Sequence, residues 1–331
     1  MAEGYNLNQK STELLNRLDL YIKNHFEELT DRLSDCISQF GESIYQMQQA
    51  GKKGAVAYLQ FSMLRTNILL SRYELRLDAY DETWYLDMAE CSSSFKVDEV
   101  LSPLAEFAAM VEMLRKESPM SMTLRETQSR IFEEGQKYLI FLAELIRLGM
   151  QKAVQTEGYR KIAKAPVFVV CIGGLLDRVD ILYKEDTTVK DGREVRRYLQ
   201  SGKQRLFSHE IYERLNLSGG NYEGLKFLYS SFASSDVSRS SFHGGQLLFC
   251  DFQACILKDT DMTGTQMFDV DFSKAQLEHV SFAKAKLSQV SFQGTVLSHV
   301  DFTYALLMEE VDFTNAVLKD TIIPENIPKG R

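Results

Sequence analysis

The sequence of 331 residues contains few of the features that mark secreted, membrane-spanning or disordered proteins. Its five cysteines are scattered and form no Cys-x-x-Cys pair, so we expect free thiols in a reducing compartment. Only five prolines and no low-complexity tract are present, which argues against extensive disorder. The longest apolar run, Pro166 to Leu176, is shorter than the ~20 residues that a membrane-spanning helix needs. We therefore predict no membrane span.

Signals for export and catalysis are also missing. The first residues lack the basic segment and apolar run of a signal peptide, so we expect a cytoplasmic bacterial protein. No Gly-x-Ser-x-Gly, Walker lysine or His-Glu-x-x-His motif occurs, and we predict that the protein is not an enzyme and holds no cofactor or metal. The net charge of −8 argues against direct binding to nucleic acid, which depends on Lys and Arg.

The last third of the sequence has a strict five-residue period. Stepping by five from Phe272 meets an apolar residue at 22 successive centres, with one residue inserted within Met308–Glu310. The centres are Leu217, Tyr222, Phe227, Phe232, Val237, Phe242, Leu247, Phe252, Leu257, Met262, Met267, Phe272, Leu277, Phe282, Leu287, Phe292, Leu297, Phe302, Leu307, Phe313, Leu318 and Ile323. From Cys250 onward, a small or medium residue stands two positions before each centre. Neither a helix, with a period of about 3.6, nor a plain strand explains this pattern.

The pattern resembles the pentapeptide-repeat family, whose loose consensus is Ala-(Asp/Asn)-Leu-x-x. Close matches are Ala275-Gln276-Leu277, Val270-Asp271-Phe272 and Val300-Asp301-Phe302. The resemblance covers about a third of the chain. It implies a right-handed quadrilateral β-helix in which four pentapeptides make one coil and the centres point inward. The repeats would then give roughly five and a half coils and, at ~4.8 Å per coil, a rod on the order of 25 Å long.

A second period of ten residues lies within the first. From Phe242 to Leu318, Phe centres alternate with Leu or Met centres, and Val or a similar residue precedes Phe where Ala or Thr precedes Leu. With four sides in a coil, Phe would occupy two opposite sides and Leu the other two. We predict that large and medium side chains interlock in a narrow, dry interior.

One side of the coil is predicted to carry apolar residues outward as well as inward. These outward residues are Leu228, Tyr229, Leu248, Phe249, Phe268, Leu306 and Met308. A contiguous exposed apolar surface is typical of an interface. We predict that this side is covered by the helical domain of the same chain or by another protein chain, with a homodimer as one possibility.

The two Phe sides are predicted to carry acidic residues outward. They are Asp251, Asp271 and Asp312 on one side and Asp261 and Asp301 on the other. A short acidic side chain commonly hydrogen-bonds the backbone of its own turn, and this is the simpler interpretation. The alternative is an electronegative stripe that imitates DNA, which a resemblance to quinolone-resistance pentapeptide proteins implies. A further column of Asp259, His279, His299 and Asp320 could bind a metal or sense pH, although an exposed ladder without a role is simpler.

The first two thirds of the chain predict an α-helical domain. Periodic apolar residues indicate helices at Leu7–Met47, Ala55–Ala79, Glu82–Glu90, Asp98–Lys116 and Thr123–Gln155. Pro166–Tyr183 fits a strand or a helix, and Lys184–Arg205 is rich in charge. We predict an α+β multidomain protein with an α-helical bundle at 1–183, a charged linker or bridging segment at 184–214, the β-helix at 215–323 and a tail at 324–331.

Three functions are compatible with this organisation. The leading hypothesis is a non-enzymatic interaction or scaffold protein whose solenoid faces and helical bundle bind a protein partner of unknown identity. The second is a DNA-mimicking protein that modulates or protects a topoisomerase such as gyrase. The third is an effector whose activity lies in the helical domain. Repeats of this kind serve many functions as scaffolds, so the family resemblance alone does not choose among these hypotheses.

Overall fold

A computed structural model of the chain describes residues 7–117, 122–175, 177–308 and 310–321. Contacts between residues divide the chain into two compact units, Met1–Thr187 and Thr188–Arg331. The first unit has helices α1 (Leu7–Asn24), α2 (Phe26–Gln49), α3 (Arg65–Leu69), α4 (Asp98–Glu117), α5 (Leu124–Ala153) and α6 (Glu157–Lys161). Its strands are β1 (Val56–Ser62), β2 (Glu74–Tyr80), β3 (Ser92–Lys96), β4 (Lys164–Gly173) and β5 (Val179–Asp186).

The helical region predicted from the sequence is present, and it also contains a sheet that the sequence analysis did not predict. The strands follow the order β3-β2-β1-β4-β5, in which only β1 and β4 are parallel. Leu59 and Phe61 of β1 are buried in one apolar core with Leu33 of α2 and Leu142 of α5. In the first unit, helices therefore pack on one face of a mixed sheet. The predicted α-helical bundle accounts for the helices but not for the sheet.

The helix predicted at Ala55–Ala79 is wrong. This interval forms β1, the short helix α3 and β2, with β1 and β2 paired antiparallel. Its apolar residues satisfy both helical and alternating spacing, and the β-branched and aromatic residues of β1 favour the strand. The ambiguous interval Pro166–Tyr183 contributes to the antiparallel strands β4 and β5. Residues 168–173 of β4 are all buried, which explains their unbroken apolar run.

Two other helix predictions need correction. The helix at Leu7–Met47 is interrupted at His25, whose φ of −118° and ψ of 18° separate α1 from α2. Glu82–Glu90 contains only one 3-10 turn, Trp84–Leu86. Aspartate side chains compete with helical hydrogen bonds there, because Asp87 accepts from the backbone N–H groups of Asp81 and Ala89 at 2.8 Å each.

Helices α2 and α6 approach each other closely at two glycines. A Cβ on Gly158 would lie 1.9 Å from the carbonyl oxygen of Ser38, and a Cβ on Gly41 would lie 2.4 Å from that of Gly158. Gly158→Ala is therefore expected to lower the free energy of unfolding by about 1–3 kcal/mol in urea denaturation. Gly54→Ala is the control, since a Cβ there meets nothing within 4 Å. Equal losses of unfolding free energy in Gly158→Ala and Gly54→Ala would contradict the close contact between α2 and α6.

The second unit begins with helix α7 (Gly192–Gln200) and continues as a parallel β-solenoid. Its strands are β6 (Leu206–Ser208), β7 (Lys226–Leu228), β8 (Gln246–Asp251), β9 (Ile256–Lys258), β10 (Gln266–Asp271), β11 (Gln276–Glu278), β12 (Lys286–Ser291), β13 (Val296–Ser298), β14 (Leu306–Leu307) and β15 (Val317–Lys319). Six strands stack in the order β14-β12-β10-β8-β7-β6, and four stack in the order β15-β13-β11-β9. Met267 pairs with Leu247 and Leu287, so one coil takes twenty residues, or four pentapeptides.

The one-residue insertion predicted near Met308 is confirmed by the strand register. Lys286 pairs with Leu306, twenty residues later, whereas Ser291 pairs with Asp312, twenty-one residues later. The last centre, Ile323, and the tail at 324–331 lie outside the described residues.

The alternation of Phe and Leu sides is confirmed inside the coil. One stack consists of Phe232, Phe252, Phe272, Phe292 and Phe313, with ring centroids 4.7–5.3 Å apart. A second stack on the opposite side includes Phe282 and Phe302 at 5.0 Å. Rings of the two stacks meet edge to face, as Phe282 and Phe292 do at 5.7 Å. Phe282 is completely buried, so its ring is shielded from solvent and helps to fill the interior of the coil.

Helix α7 closes the first end of the solenoid core. Leu199 is 1% exposed and belongs to the same apolar cluster as the solenoid centres, and Val195 packs against that cluster. The Arg196 guanidinium donates a hydrogen bond to the carbonyl of Ser218, and Asp191 caps the helix by accepting from the Arg193 N–H at 2.7 Å. The charged segment at 184–214 thus includes a capping helix, which repeat proteins require to cover a terminal coil.

Candidate functional site

The outward apolar residues of the solenoid lie on the six-stranded sheet. Leu228 of β7 pairs with Leu248 of β8, which pairs with Phe268 of β10. Tyr229 and Phe249 follow at the adjoining corner, where their rings stack at 4.7 Å, and Phe249 meets Phe268 edge to face at 5.3 Å. We call these five residues the aromatic face. Phe268 is 38% exposed and the other four are half-buried, so the face presents aromatic surface to solvent on three adjacent coils.

Leu306 and Met308 lie further along the same sheet. Ser288 of β12 stands beside Phe268, and Lys286 stands beside Leu306. These polar residues separate the aromatic face from Leu306 and Met308, which are 56% and 64% exposed. The structure therefore brings five of the seven predicted interface residues together and places the other two on the far side of a polar strand.

The corner residues of the aromatic face have a left-handed backbone, as do other corners of the coil. Phe249 has φ = 56° and Tyr229 has φ = 49°. Glycine takes this conformation at Gly244, and non-glycine residues such as Lys274 and Gln289 take it elsewhere in the solenoid. The left-handed corner is therefore a property of the repeat and does not distinguish the aromatic face.

The five predicted stripe residues, Asp251, Asp261, Asp271, Asp301 and Asp312, all hydrogen-bond locally. Each accepts a hydrogen bond from the backbone N–H two residues later, at 2.7–2.8 Å. This bond is the local turn interaction that the sequence suggests. The stripe does not form one surface, because Asp251, Asp271 and Asp312 lie on one side of the coil and Asp261 and Asp301 on the opposite side.

The pKa values of three outward aspartates, Asp251, Asp269 and Asp312, shift in different directions. Burial, together with the nearby charge of Asp271, raises the pKa of both Asp251 and Asp269. The side-chain and backbone hydrogen bonds from Thr314 lower the pKa of Asp312. Asp251 and Asp269 therefore carry their negative charge in a less favourable environment than Asp312 does.

The histidine column is ordered as the sequence predicts. Asp259 lies 3.3 Å from His279, His299 lies 3.6 Å from Asp320, and the two imidazole rings are 4.9 Å apart. All four side chains are at least half exposed. Within 7–117, 122–175, 177–308 and 310–321, no group of three or more His, Cys, Asp or Glu residues is arranged to hold a metal ion.

The first unit contains a surface hollow and three cysteines that bear on the hypothesis of an effector with activity in the helical domain. A hollow of about 590 Å³, open to solvent, is lined by Gln46, Met47 and Cys91 among others. Burial raises the pKa of the Cys91 thiol, and it raises that of Cys36 to about 11 and that of Cys171 to about 12. A nucleophilic cysteine needs the opposite shift, so burial makes these thiols unreactive.

The outward columns can be identified from the sequence because the repeat fixes which residues face out. The capping role of α7 was not predicted. The left-handed corners have a partial sequence signal, since the residue two positions after a centre is glycine at Gly219, Gly224, Gly244, Gly264 and Gly294.

Comparisons with known proteins agree with this solenoid geometry. Residues 246–282 and 281–320 match the family model for pentapeptide repeats, in eight copies. No curated protein sequence matches the chain. No helix among the residues described above is long and apolar enough to cross a membrane.

Solved structures similar to the chain include several pentapeptide-repeat proteins. One from the Arabidopsis thaliana thylakoid lumen is 23% identical over 33% of this chain and 73% of its own, with a TM-score of 0.23. QnrB1, a plasmid-mediated fluoroquinolone resistance protein, is 15% identical over 35% of this chain and 73% of its own, with a TM-score of 0.18. HetL from Nostoc sp. strain PCC 7120, involved in the regulation of heterocyst differentiation, is 15% identical over 40% of this chain and 94% of its own, with a TM-score of 0.19.

Proposed function

Residues 246–320 are a pentapeptide-repeat region, and from this premise we propose that the protein is a non-enzymatic interaction protein that binds another protein through the aromatic face of its solenoid. The observation that carries the proposal is the face itself. Leu248, Phe249 and Phe268 present contiguous apolar surface from two directly paired strands. Contiguous exposed apolar surface on a folded protein marks an interaction site.

The residue types of the face suit a binding hot spot. Aromatic residues are enriched in the cores of protein interfaces, where they bury a large area with few rotatable bonds. Paired strands hold Phe268 on a backbone that the coils above and below fix in place. A partner would therefore meet rings that are already oriented, and it would lose less conformational entropy on binding than with flexible side chains.

The acidic columns support the DNA-mimic alternative less well. Asp261 and Asp301 lie on the side opposite Asp251 and Asp271, and Ser281 and Ser291 interrupt the two columns. A duplex mimic needs a continuous track of negative charge. A supercoiling assay with DNA gyrase distinguishes the two functions, and the interaction proposal expects no change in gyrase activity.

We expect Phe249→Ser/Phe268→Ser to weaken partner capture by about tenfold, the loss typical of removing interface hot spots. The measurement is affinity capture from the native cell lysate by the full chain, followed by quantification of each captured protein. The matched control is Tyr304→Ser/Val296→Ser. Tyr304 is also an aromatic residue at a left-handed corner (φ = 57°), and Val296 is 39% exposed, but both lie on other parts of the coil.

The control pair is expected to retain capture, and both double variants should melt near the temperature of the natural protein. A captured protein counts as a partner only if the aromatic-face variant loses it and the control variant keeps it. If no captured protein shows that difference, the proposed function is wrong.

A further inference from the structure

Three carboxylates adjoin the aromatic face. Asp269 follows Phe268 along β10 and stands twenty residues after Phe249, in the same corner column. Asp251 and Asp271 lie two positions beyond the corner and pair directly with each other across β8 and β10. The six-residue strands β8 and β10 therefore carry the rings and the carboxylates on either side of one corner of the coil.

Two of these carboxylates accept hydrogen bonds from neutral groups of the solenoid. Asp251 accepts from the Gln253 N–H at 2.7 Å, and Asp271 accepts from the Ser273 N–H at 2.7 Å and the Gln253 amide at 2.6 Å. No ion pair involves Asp251, Asp269 or Asp271 in the part of the chain that the structure describes. An ionised carboxylate has about four lone-pair positions, so these bonds leave each of them acceptor capacity for a ligand.

A bound cation would stabilise the charged form of these carboxylates. Burial and the nearby charge of Asp271 raise the pKa of Asp251 and Asp269, which means that their negative charge is poorly compensated in the free protein. The two lysines on the same sheet, Lys226 and Lys286, stand in the outward column furthest from this corner. The basic side chains of the sheet thus leave the carboxylates uncompensated.

We infer that the partner bound by the aromatic face is a protein segment rich in arginine and lysine, whose cations lie against the rings of Phe249 and Phe268 and pair with Asp251, Asp269 and Asp271. This inference rests on the proposed function. A cation over an aromatic ring is attracted by the electron density of the ring face. Arginine also pairs with a carboxylate through two parallel hydrogen bonds, and it stacks on rings better than lysine does. The surface therefore favours arginine over lysine.

The test uses the full chain and a fluorescently labelled peptide of twelve residues in which Arg and Ser alternate, followed by anisotropy. The companion peptides replace Arg by Lys or by Glu. We expect the Arg peptide to bind more tightly than the Lys peptide, and the Glu peptide not to bind. Asp251→Asn/Asp271→Asn should weaken Arg-peptide binding about fivefold, because Asn keeps the local hydrogen bond but loses the charge.

The matched control is Asp261→Asn/Asp301→Asn, which removes the same charge from the opposite side of the coil and should change the affinity by less than about twofold. Phe268→Leu keeps an apolar side chain but removes the ring, and it should reduce the preference for Arg over Lys. Equal losses in the two Asp→Asn pairs, or no binding of the Arg peptide, would overturn the inference.

These outcomes separate this inference from the proposed function. If the Arg peptide does not bind while Phe249→Ser/Phe268→Ser still loses a captured partner, the cationic partner is wrong and the proposed function stands. If the peptide binds with the expected pattern but capture never depends on the face, the proposed function is wrong. Self-association of the chain, measured by light scattering and abolished by Asp251→Asn/Asp271→Asn, would replace the separate partner by a second copy and overturn the inference as stated.

Discussion

Phe282→Asp is expected to unfold a large part of the solenoid. Phe282 is fully buried, with Phe302 stacked at 5.0 Å and Phe272 and Phe292 in edge contact at 5.9 Å and 5.7 Å. Losing a buried Phe side chain costs about 3–5 kcal/mol, and an unpaired buried charge costs several kcal/mol more. The sum approaches the whole stability of a typical domain, about 5–15 kcal/mol. Thermal melting followed by circular dichroism measures the effect.

Ser281→Asp is the matched control for this substitution. It places the same carboxylate one position earlier, where Asp261 and Asp301 already face outward on the neighbouring coils. We expect it to change stability by less than about 1 kcal/mol. If Phe282→Asp does not accumulate as a folded protein, Phe282→Leu gives a milder test, with an expected loss of about 1–2 kcal/mol. A melting temperature of Phe282→Asp equal to that of Ser281→Asp would show that position 282 does not face inward.

Lys53→Met is expected to destabilise the first unit by about 3–5 kcal/mol, measured by urea denaturation at pH about 7. The Lys53 ammonium is buried and donates to the carbonyls of Ala79 at 2.7 Å and Ala89 at 2.6 Å and to the Asp87 carboxylate at 2.5 Å. All three of its donors are therefore used. Removing the lysine leaves a buried carboxylate and two buried carbonyls without this partner. Lys52→Met is the control, because Lys52 is the adjacent lysine and is exposed.

The loss of stability caused by Lys53→Met is expected to depend on pH. Burial acts to raise the pKa of Asp87, but hydrogen bonds from Lys53 and from the N–H groups of Ala89 and Asp81 outweigh burial and hold this pKa below its ordinary value. The lowered pKa stabilises the natural protein above the ordinary range of aspartate, near pH about 4, and this contribution is lost as the pH falls through the lowered value. Without Lys53, the pKa of Asp87 should rise, because the hydrogen bond and the positive charge of the lysine no longer lower it. The stability difference between Lys53→Met and the natural protein should therefore narrow at pH about 4, and a constant difference would contradict the buried ion pair.

The solenoid could be predicted from the sequence because its structure is local and repeated. Each centre, such as Phe272, contacts centres two pentapeptides and one coil away, so the same five-residue pattern reports the same environment many times. Whether the side chain of Leu248 or Asp251 points inward or outward follows from its position in the five-residue pattern alone. Spacing therefore predicts which columns point outward, although their exposure depends on neighbours that spacing does not specify.

The first unit was harder to predict because its strands pair over long distances. Leu59 of β1 pairs with Val170 of β4, more than a hundred residues later, and no local pattern records that contact. The segment at 51–54 shows the same limit. Lys52 and Lys53 look alike in the sequence, but only Lys53 meets Asp87 and the backbone carbonyls.

The two opposite Phe sides have a consequence for how such a protein can change its length. Loss or duplication of ten residues would put Phe again on Phe sides and keep the interior matched, whereas a change of five would set Phe against Leu or Met. A ten-residue change would, however, carry every later outward column to the opposite side of the coil. Leu228, Leu248 and Phe268 stay aligned over three coils only because they are spaced by twenty. If only the packing of the interior mattered, the solenoid could lengthen by ten residues, which is half a coil. To keep the residues of the aromatic face aligned, an insertion within that face must be twenty residues, which is a whole coil.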